Sequence, residues 1–295
     1  MLEFDIYSPE EQINLACYAE KSVQVFIKRD DLIHPFISGN KWRKLKYTLQ
    51  EAKLNGISQL VTFGGAWSNH LLATANAGAK FGFQTYAFVR GEPVTNPVLA
   101  LCKLFGMHLH FVDREAYRDK ESLYAQHFAA QPQSLKIDEG GYGPLGMLGC
   151  ADIIEELHRD YDHIFCACGT GTTLAGLEWG RQRNKLSFKT HGVPVLKGGS
   201  FIADEVQALA VDPSAITLHL DYHFGGYAKT KPELLAFVQQ FCRQTGIMIE
   251  PTYTGKMIYA VHDLIAQDYF PKNSKILILH TGGLTGFLGM YDKFA

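Results

Sequence analysis

Two short segments hold residues whose types and spacing could do chemistry. In Ser38-Gly39-Asn40-Lys41-Trp42-Arg43-Lys44, Lys41 lies at the start of a helix pattern. The positive end of a helix dipole disfavours an added ammonium charge, which helps keep an amine there nucleophilic. A neutral lysine amine can form a Schiff base with an aldehyde cofactor. The bland alternative is a solvated first-turn lysine, and Arg43, Lys44 and Lys46 are read as solvated or ion-paired. The second segment is Cys168-Gly169-Thr170-Gly171-Thr172-Thr173, which follows the strand-like HIFCA and precedes a helix pattern. Glycines let backbone N–H groups turn toward an anion, threonine hydroxyls can donate more bonds, and the helix start adds partial positive charge. The dinucleotide pattern GxGxxG fails because its third glycine position is Leu174, and Walker A fails because Gly176 is followed by Leu177-Glu178. What is left is a phosphate cup with no lysine of its own, or an ordinary glycine turn.

These segments need elements to position them. Val23–Lys28, Leu60–Phe63, Thr85–Val89, His108–Val112, His163–Ala167 and Lys275–His280 read as strands. Helix patterns cover Trp42–Leu54, Ser68–Lys80, Val98–Phe105, Gly146–His158, Leu174–Asn184, Phe201–Leu209, Pro232–Thr245 and Met257–Ala266. Alternating strands and helices predict an α/β fold with largely parallel sheets, in which ligands sit at the carboxyl ends of strands. Gly64-Gly65, Gly169 to Gly171 and Gly282-Gly283 all fall at such ends, which points to a large cofactor or phosphate site.

The chain has 295 residues, 46% hydrophobic and 20% charged, with a net charge of −2. That composition excludes intrinsic disorder and gives no electrostatic footprint for nucleic acid or an anionic membrane. Length allows one large domain or two medium ones. No apolar run is long enough to predict a transmembrane span, and the acidic start Met1-Leu2-Glu3-Phe4-Asp5 lacks a signal pattern. Cys166 and Cys168 are one residue apart, which suits neither a redox nor a zinc CxxC site, so reduced thiols in a cytoplasmic enzyme are expected. His108 and His110 share a strand face but lack a third ligand, so no metal is expected.

Taken together, Ile27-Lys28-Arg29-Asp30-Asp31-Leu32 and Gly39-Asn40-Lys41-x-Arg43-Lys44-Leu45 resemble the cofactor-lysine region of pyridoxal-phosphate enzymes of fold type II. The resemblance is nearest to the group that holds 1-aminocyclopropane-1-carboxylate (ACC) deaminase and D-cysteine desulfhydrase. Gly64-Gly65-Ala66-Trp67-Ser68-Asn69-His70, the Gly169–Thr173 cup, Pro251-Thr252-Tyr253-Thr254-Gly255-Lys256 and His280-Thr281-Gly282-Gly283 agree in order. His34-Pro35-Phe36-Ile37 departs from the glycine-richer approach to the lysine usual in that group. The resemblance implies that Lys41 is the Schiff-base lysine and moves the Cα proton. It implies that Asn69 bonds the cofactor ring hydroxyl, that Ser68 contacts substrate, and that the N–H groups of Ser68, Asn69 and His70 hold the substrate carboxylate. Gly169, Thr170, Gly171, Thr172 and Thr173 would hold the phosphate. Tyr253, with Tyr227 as a second tyrosine, would face the substrate. Thr254 and Thr281 would offer neutral hydrogen bonds to the ring nitrogen.

The same resemblance implies a large cofactor domain from 1–44 and 151–295, a small domain from 45–150 closing over the cleft, and a homodimer. ACC deaminases carry a glutamate where this chain has Thr254. A carboxylate there would keep the ring nitrogen protonated and the electron sink deep, as opening a cyclopropane demands. A threonine suits β-elimination, and Tyr253-Thr254 matches the D-cysteine desulfhydrase branch. The expected reaction is α,β-elimination from a small D-amino acid, D-cysteine giving pyruvate, ammonia and hydrogen sulfide. ACC deamination, a racemase or dehydratase on the same scaffold, and a non-catalytic pyridoxal-phosphate- or nucleotide-binding protein are the alternatives.

Overall fold

The structure is a computed structural model and describes residues 5–295; Met1 to Phe4, most of the acidic start noted above, lie outside the described residues. Along the chain run β1 (Glu10–Ile13), α1 (Ala16–Glu20), β2 (Gln24–Lys28), α2 (Asn40–Leu54), β3 (Gln59–Gly65), α3 (Asn69–Phe81) and β4 (Gln84–Arg90). Then come α4 (Pro97–Leu104), β5 (His108–Val112), α5 (Lys120–Phe128), β6 (Ser134–Ile137), α6 (Pro144–Glu155), β7 (His163–Cys168) and α7 (Thr172–Arg183). The last are β8 (Lys189–Pro194), α8 (Ile202–Ala208), β9 (Ile216–Leu218), α9 (Pro232–Thr245), α10 (Thr254–Ala266) and β10 (Lys275–Leu279).

Two sheets result, one in the order β1-β2-β10-β7-β8-β9 and one in the order β5-β4-β3-β6. Every pairing is parallel except that of β1 with β2. Strand periodicity explains how the larger sheet is covered on both faces. Val25, Ile27, Ile276 and Ile278 point toward Leu234, Val238 and Phe241 of α9 and Met257, Ile258 and Val261 of α10. Their alternates Phe26, Leu277 and Leu279 pack with Ile153 and Ile154 of α6 and Leu174 and Leu177 of α7. In the smaller sheet, Ala87 and Val89 meet α3 and α4, whereas Val61, Phe63 and Phe88 meet Leu123 and Phe128 of α5.

The α/β class and the parallel sheets agree with the sequence reading. Six elements were not anticipated: β1, β6, β8, β9, α1 and α5. Most are three to five residues long, too short to show a period. β8 reads KTHGVP, and its polar and glycine residues hide a strand that is buried from Thr190 onward. In α5 only Leu123 and Phe128 are buried, so its face is thin. Several helix starts come earlier than expected, among them α2 at Asn40 rather than Trp42 and α6 at Pro144 rather than Gly146. α7 begins at Thr172 rather than Leu174, and α10 at Thr254 rather than Met257, so both motifs lie in first helical turns.

Candidate active site

β3, β7 and β10 all run toward one cavity of about 430 Å³. Each strand ends in a glycine-bearing turn there, as parallel sheets place their ligand sites. Lys41, Ser68, Asn69, His70, Gly169, Thr170, Gly171, Thr173, Tyr227, Tyr253 and Thr281 all line it. Residues more than 200 positions apart thus converge as the sequence analysis expected. Thr172 and Thr254 are buried behind the lining instead.

Lys41 is the second residue of α2. Gly39 before it has φ +59°, and a Cβ there would sit 2.0 Å from the Thr281 carbonyl oxygen, so the helix start is seated directly on the Thr281–Gly282 backbone. Asn40 N–H donates to that same oxygen at 3.3 Å. The Asn40 side chain then ties the amine to the cup: its Oδ1 accepts from Lys41 Nζ at 3.0 Å and its Nδ2 donates to Thr173 Oγ1 at 3.0 Å. Burial, helped by the charge of Lys44, lowers the Lys41 pKa to about 7. A substantial fraction of the amine is therefore neutral and nucleophilic near neutral pH.

The cup is the start of α7. Gly171 precedes the helix with φ +77°, a left-handed conformation that glycine adopts without strain. Thr170 and Thr172 hydroxyls are 3.0 Å apart. Sequence reasoning found no lysine here, but one arrives from α2. Lys44 is 5% exposed, and its Nζ lies 3.4 Å from Thr170 Oγ1 and 3.2 Å from the Gly140 carbonyl oxygen. It is thus not the solvated or ion-paired residue its composition suggested. The usable signal was its spacing, three residues beyond Lys41 on the same helix face. Arg43 and Lys46 are ion-paired as expected, with Asp30 and Glu156 and with Asp152 respectively.

Ser68 caps α3, its Oγ accepting from Leu71 N at 3.4 Å, which leaves the first N–H groups of that helix open to an anion. Asn69 Oδ1 accepts from Thr285 Oγ1 at 3.1 Å. The Thr62 hydroxyl donates to the Ile137 carbonyl, so its 2.8 Å contact with His70 Nε2 has the imidazole donating. That leaves His70 Nδ1 as a buried acceptor with no partner among the described residues. Burial and the nearby Lys41 and Lys44 hold its pKa well below the usual histidine value. His70 thus makes a structural hydrogen bond of the kind its sequence context suggested.

Tyr253 stacks edge-on to Tyr227 with centroids 5.9 Å apart. Burial raises both phenol pKa values, and the neighbouring Tyr227 pushes that of Tyr253 higher still. The Tyr227 loop is pinned by Lys256, which is wholly buried and donates to the carbonyls of Gly226 (2.7 Å), His223 (2.8 Å) and Val195 (3.2 Å). Its role was not legible because its three acceptors are backbone atoms brought in by folding.

Thr254 has its own partners. Its Oγ accepts from Glu250 N at 3.1 Å and donates to Glu250 Oε1 at 3.2 Å. The Glu250 carboxylate also accepts from the N–H groups of Thr252, Tyr253 and Thr254 at 2.6, 2.8 and 2.8 Å, covering the open start of α10. The hydroxyl expected to bond a cofactor ring therefore has its proton committed to a buried acid.

These residues suit an aldehyde bearing a phosphate. A helix start with a buried lysine beside it provides the anion site, one shared amide away stands a neutral amine, and an unpartnered imidazole nitrogen remains in the wall. All six cysteines are free, and no cluster of metal-ligating side chains occurs among the described residues. Among the described residues no helix is long and apolar enough to cross a membrane.

The comparisons with known proteins agree. The sequence profile described as "Pyridoxal-phosphate dependent enzyme" matches residues 13–282. D-cysteine desulfhydrase of Serratia proteamaculans is 32% identical, the match covering 92% of this chain and 89% of that protein. The bifunctional D-cysteine desulfhydrase/1-aminocyclopropane-1-carboxylate deaminase, mitochondrial, of Arabidopsis thaliana is 30% identical over 92% of this chain and 74% of its own length. A solved structure described as an ACC deaminase homologue superposes with a TM-score of 0.88 at 28% identity, covering 98% of this chain and 93% of that one. A match that spans both the lysine helix and the phosphate cup leaves one assignment: this chain belongs to the pyridoxal-phosphate-dependent enzymes, in the fold type II group of ACC deaminases and D-cysteine desulfhydrases.

Proposed function

We propose that the chain catalyses α,β-elimination from a small D-amino acid, D-cysteine foremost, releasing pyruvate, ammonia and hydrogen sulfide. The observation that carries this reading over ACC deamination is position 254. It bears a hydroxyl bonded to Glu250, and the Glu250 carboxylate is occupied by three backbone N–H groups. A carboxylate free to hold the ring nitrogen protonated is thus missing from this position, and a weaker electron sink favours a substrate with a good leaving group. ACC deamination is the second reading, favoured by the bifunctional relative from Arabidopsis thaliana.

Bound pyridoxal phosphate supplies the aldehyde and the electron sink. The α7 start and Lys44 hold its phosphate, and the N–H groups at the α3 start orient the substrate carboxylate. Lys41, its pKa lowered by burial to about 7, takes the proton from Cα. Tyr253, half-buried, and Tyr227, 43% exposed, both have raised phenol pKa values, face the leaving group and can donate to it. Lys44→Gln should weaken cofactor binding by roughly tenfold or more, the value of a charge-assisted hydrogen bond. Equilibrium titration of the apoprotein with pyridoxal phosphate measures this, and an unchanged affinity would remove Lys44 from the phosphate site.

The reaction is tested by assaying purified holoenzyme on D-cysteine, L-cysteine, D-serine and ACC. Pyruvate and sulfide should come fastest from D-cysteine. A higher kcat/KM for 2-oxobutyrate from ACC would overturn the argument from Thr254.

A further inference from the structure

We propose that Arg90 and Arg114 let the site also take amino-acid substrates whose side chain ends in an anion; this rests on the elimination reading above and extends its substrate range beyond D-cysteine. Both arginines line the cavity that holds Lys41 and the two tyrosines. Their placement follows from sheet register. Arg90 ends β4 beside Gly65 of β3, and Val112, the last residue of β5, pairs with Arg90. Arg114 follows two residues on. The two guanidiniums thus issue from adjacent carboxyl ends of the smaller sheet, where loops meet ligands. Arg90 is exposed at the cavity mouth: its Nη2 lies 3.7 Å from where a Cβ on Gly65 would stand, and its guanidinium lies 5.6 Å from the ring centroid of buried Tyr117.

Charge does not balance at this mouth. Among the described residues, neither Arg90 nor Arg114 forms an ion pair. Glu139 is the one acid that lines the cavity, and it is matched by Lys120 at 3.2 Å. Two arginines, both exposed, therefore line the cavity mouth with no ion pair to a carboxylate among the described residues. The substrate α-carboxylate has its own site at the α3 start, and the phosphate has the α7 start with Lys44. The arginines are left for a third anion, carried by the substrate side chain. Guanidinium forks are shaped for a carboxylate or a similar oxyanion. In such a substrate the Cα proton goes to Lys41, the Cβ–S bond breaks with its electron pair leaving on sulfur, and one water is consumed. The products are pyruvate, ammonia and an anionic thiol.

Two thioethers that differ only at the side-chain terminus test this: S-carboxymethylcysteine and S-carbamidomethylcysteine, each in both enantiomers. Pyruvate release by the holoenzyme should favour the carboxylate in kcat/KM by roughly tenfold to a hundredfold, the range of one or two charged hydrogen bonds. In Arg90→Gln/Arg114→Gln that ratio should fall toward one, and raised salt should lower it in the unaltered protein. Equal use of the two thioethers, or a preference that survives both substitutions, overturns the proposal. So does release from neither compound while D-cysteine is turned over. A protein that takes up no cofactor at Lys41 would instead overturn the elimination reading, and this proposal with it.

Discussion

Lys41→Ala should lower D-cysteine turnover by about 10⁴-fold or more, since it removes both the covalent anchor and the base. The visible absorption band of bound pyridoxal phosphate should vanish, and borohydride should no longer fix a pyridoxyl label to the peptide around residue 41. The unaltered protein offers a second readout that does not depend on turnover. An ammonium cannot attack an aldehyde, so covalent uptake of cofactor by the apoprotein needs the neutral amine. With the Lys41 pKa at about 7, the uptake rate should rise through that pH and level off above it. Burial is the larger cause and the Lys44 charge the second, so Lys44→Gln should move the inflection upward, because desolvation would then act alone. Stopped-flow absorbance against pH measures both. An inflection at the ordinary lysine value of about 10.5, or a chromophore that persists in Lys41→Ala, would take the chemistry away from this residue.

Most of that site was legible before any coordinates, for a physical reason. A cofactor lysine, a phosphate cup and a carboxylate-binding helix start are all local: each needs a glycine turn and a helix start within a few residues. The strand ends at Gly65, Cys168 and Leu279 were predictable from apolar runs that stop at glycines. What stayed hidden was assembled across the chain. Lys44 gains its role from the Gly140 and Thr170 side of the cavity, and Lys256 from three carbonyls between Val195 and Gly226. Beyond the spacing of Lys44 from Lys41, nothing in either residue's neighbourhood along the sequence announces those partners. Thr254 shows the reverse case. The sequence motif singled it out, yet its hydroxyl is directed by Glu250, four residues upstream, whose carboxylate was not singled out. The short edge strands were missed because three or four residues cannot display a period, and β8 because its burial comes from neighbours on both sides and not from its own composition.

The largest effect on stability should come from Arg43, which never touches the cavity. It is completely buried on α2, two residues past Lys41. Its Nε and Nη2 hold Asp30 at 3.2 and 2.9 Å, its Nη2 also holds Glu156 at 2.8 Å, and its Nη1 bonds Glu156 as well. Asp30 is itself fully buried. The guanidinium therefore joins the turn after β2 to the lysine helix and to the end of α6. Arg43→Met roughly keeps the volume of the side chain but strands the Asp30 charge, with only the Ser8 hydroxyl at 2.6 Å still bonded to its carboxylate among the described residues. Breaking a buried pair in this one-sided way costs about 3–5 kcal/mol, which denaturant melts of the apoprotein would register as a lower midpoint at an unchanged slope. Adding Asp30→Asn to Arg43→Met should restore a large part of the loss, because the uncompensated charge is then gone while the packing remains. The double-mutant cycle separates the two terms. A single-variant loss below about 1 kcal/mol, the range of exposed ion pairs, would mean that water reaches the cluster. The start of α2 would then owe its position to the Gly39 contact with Thr281 alone.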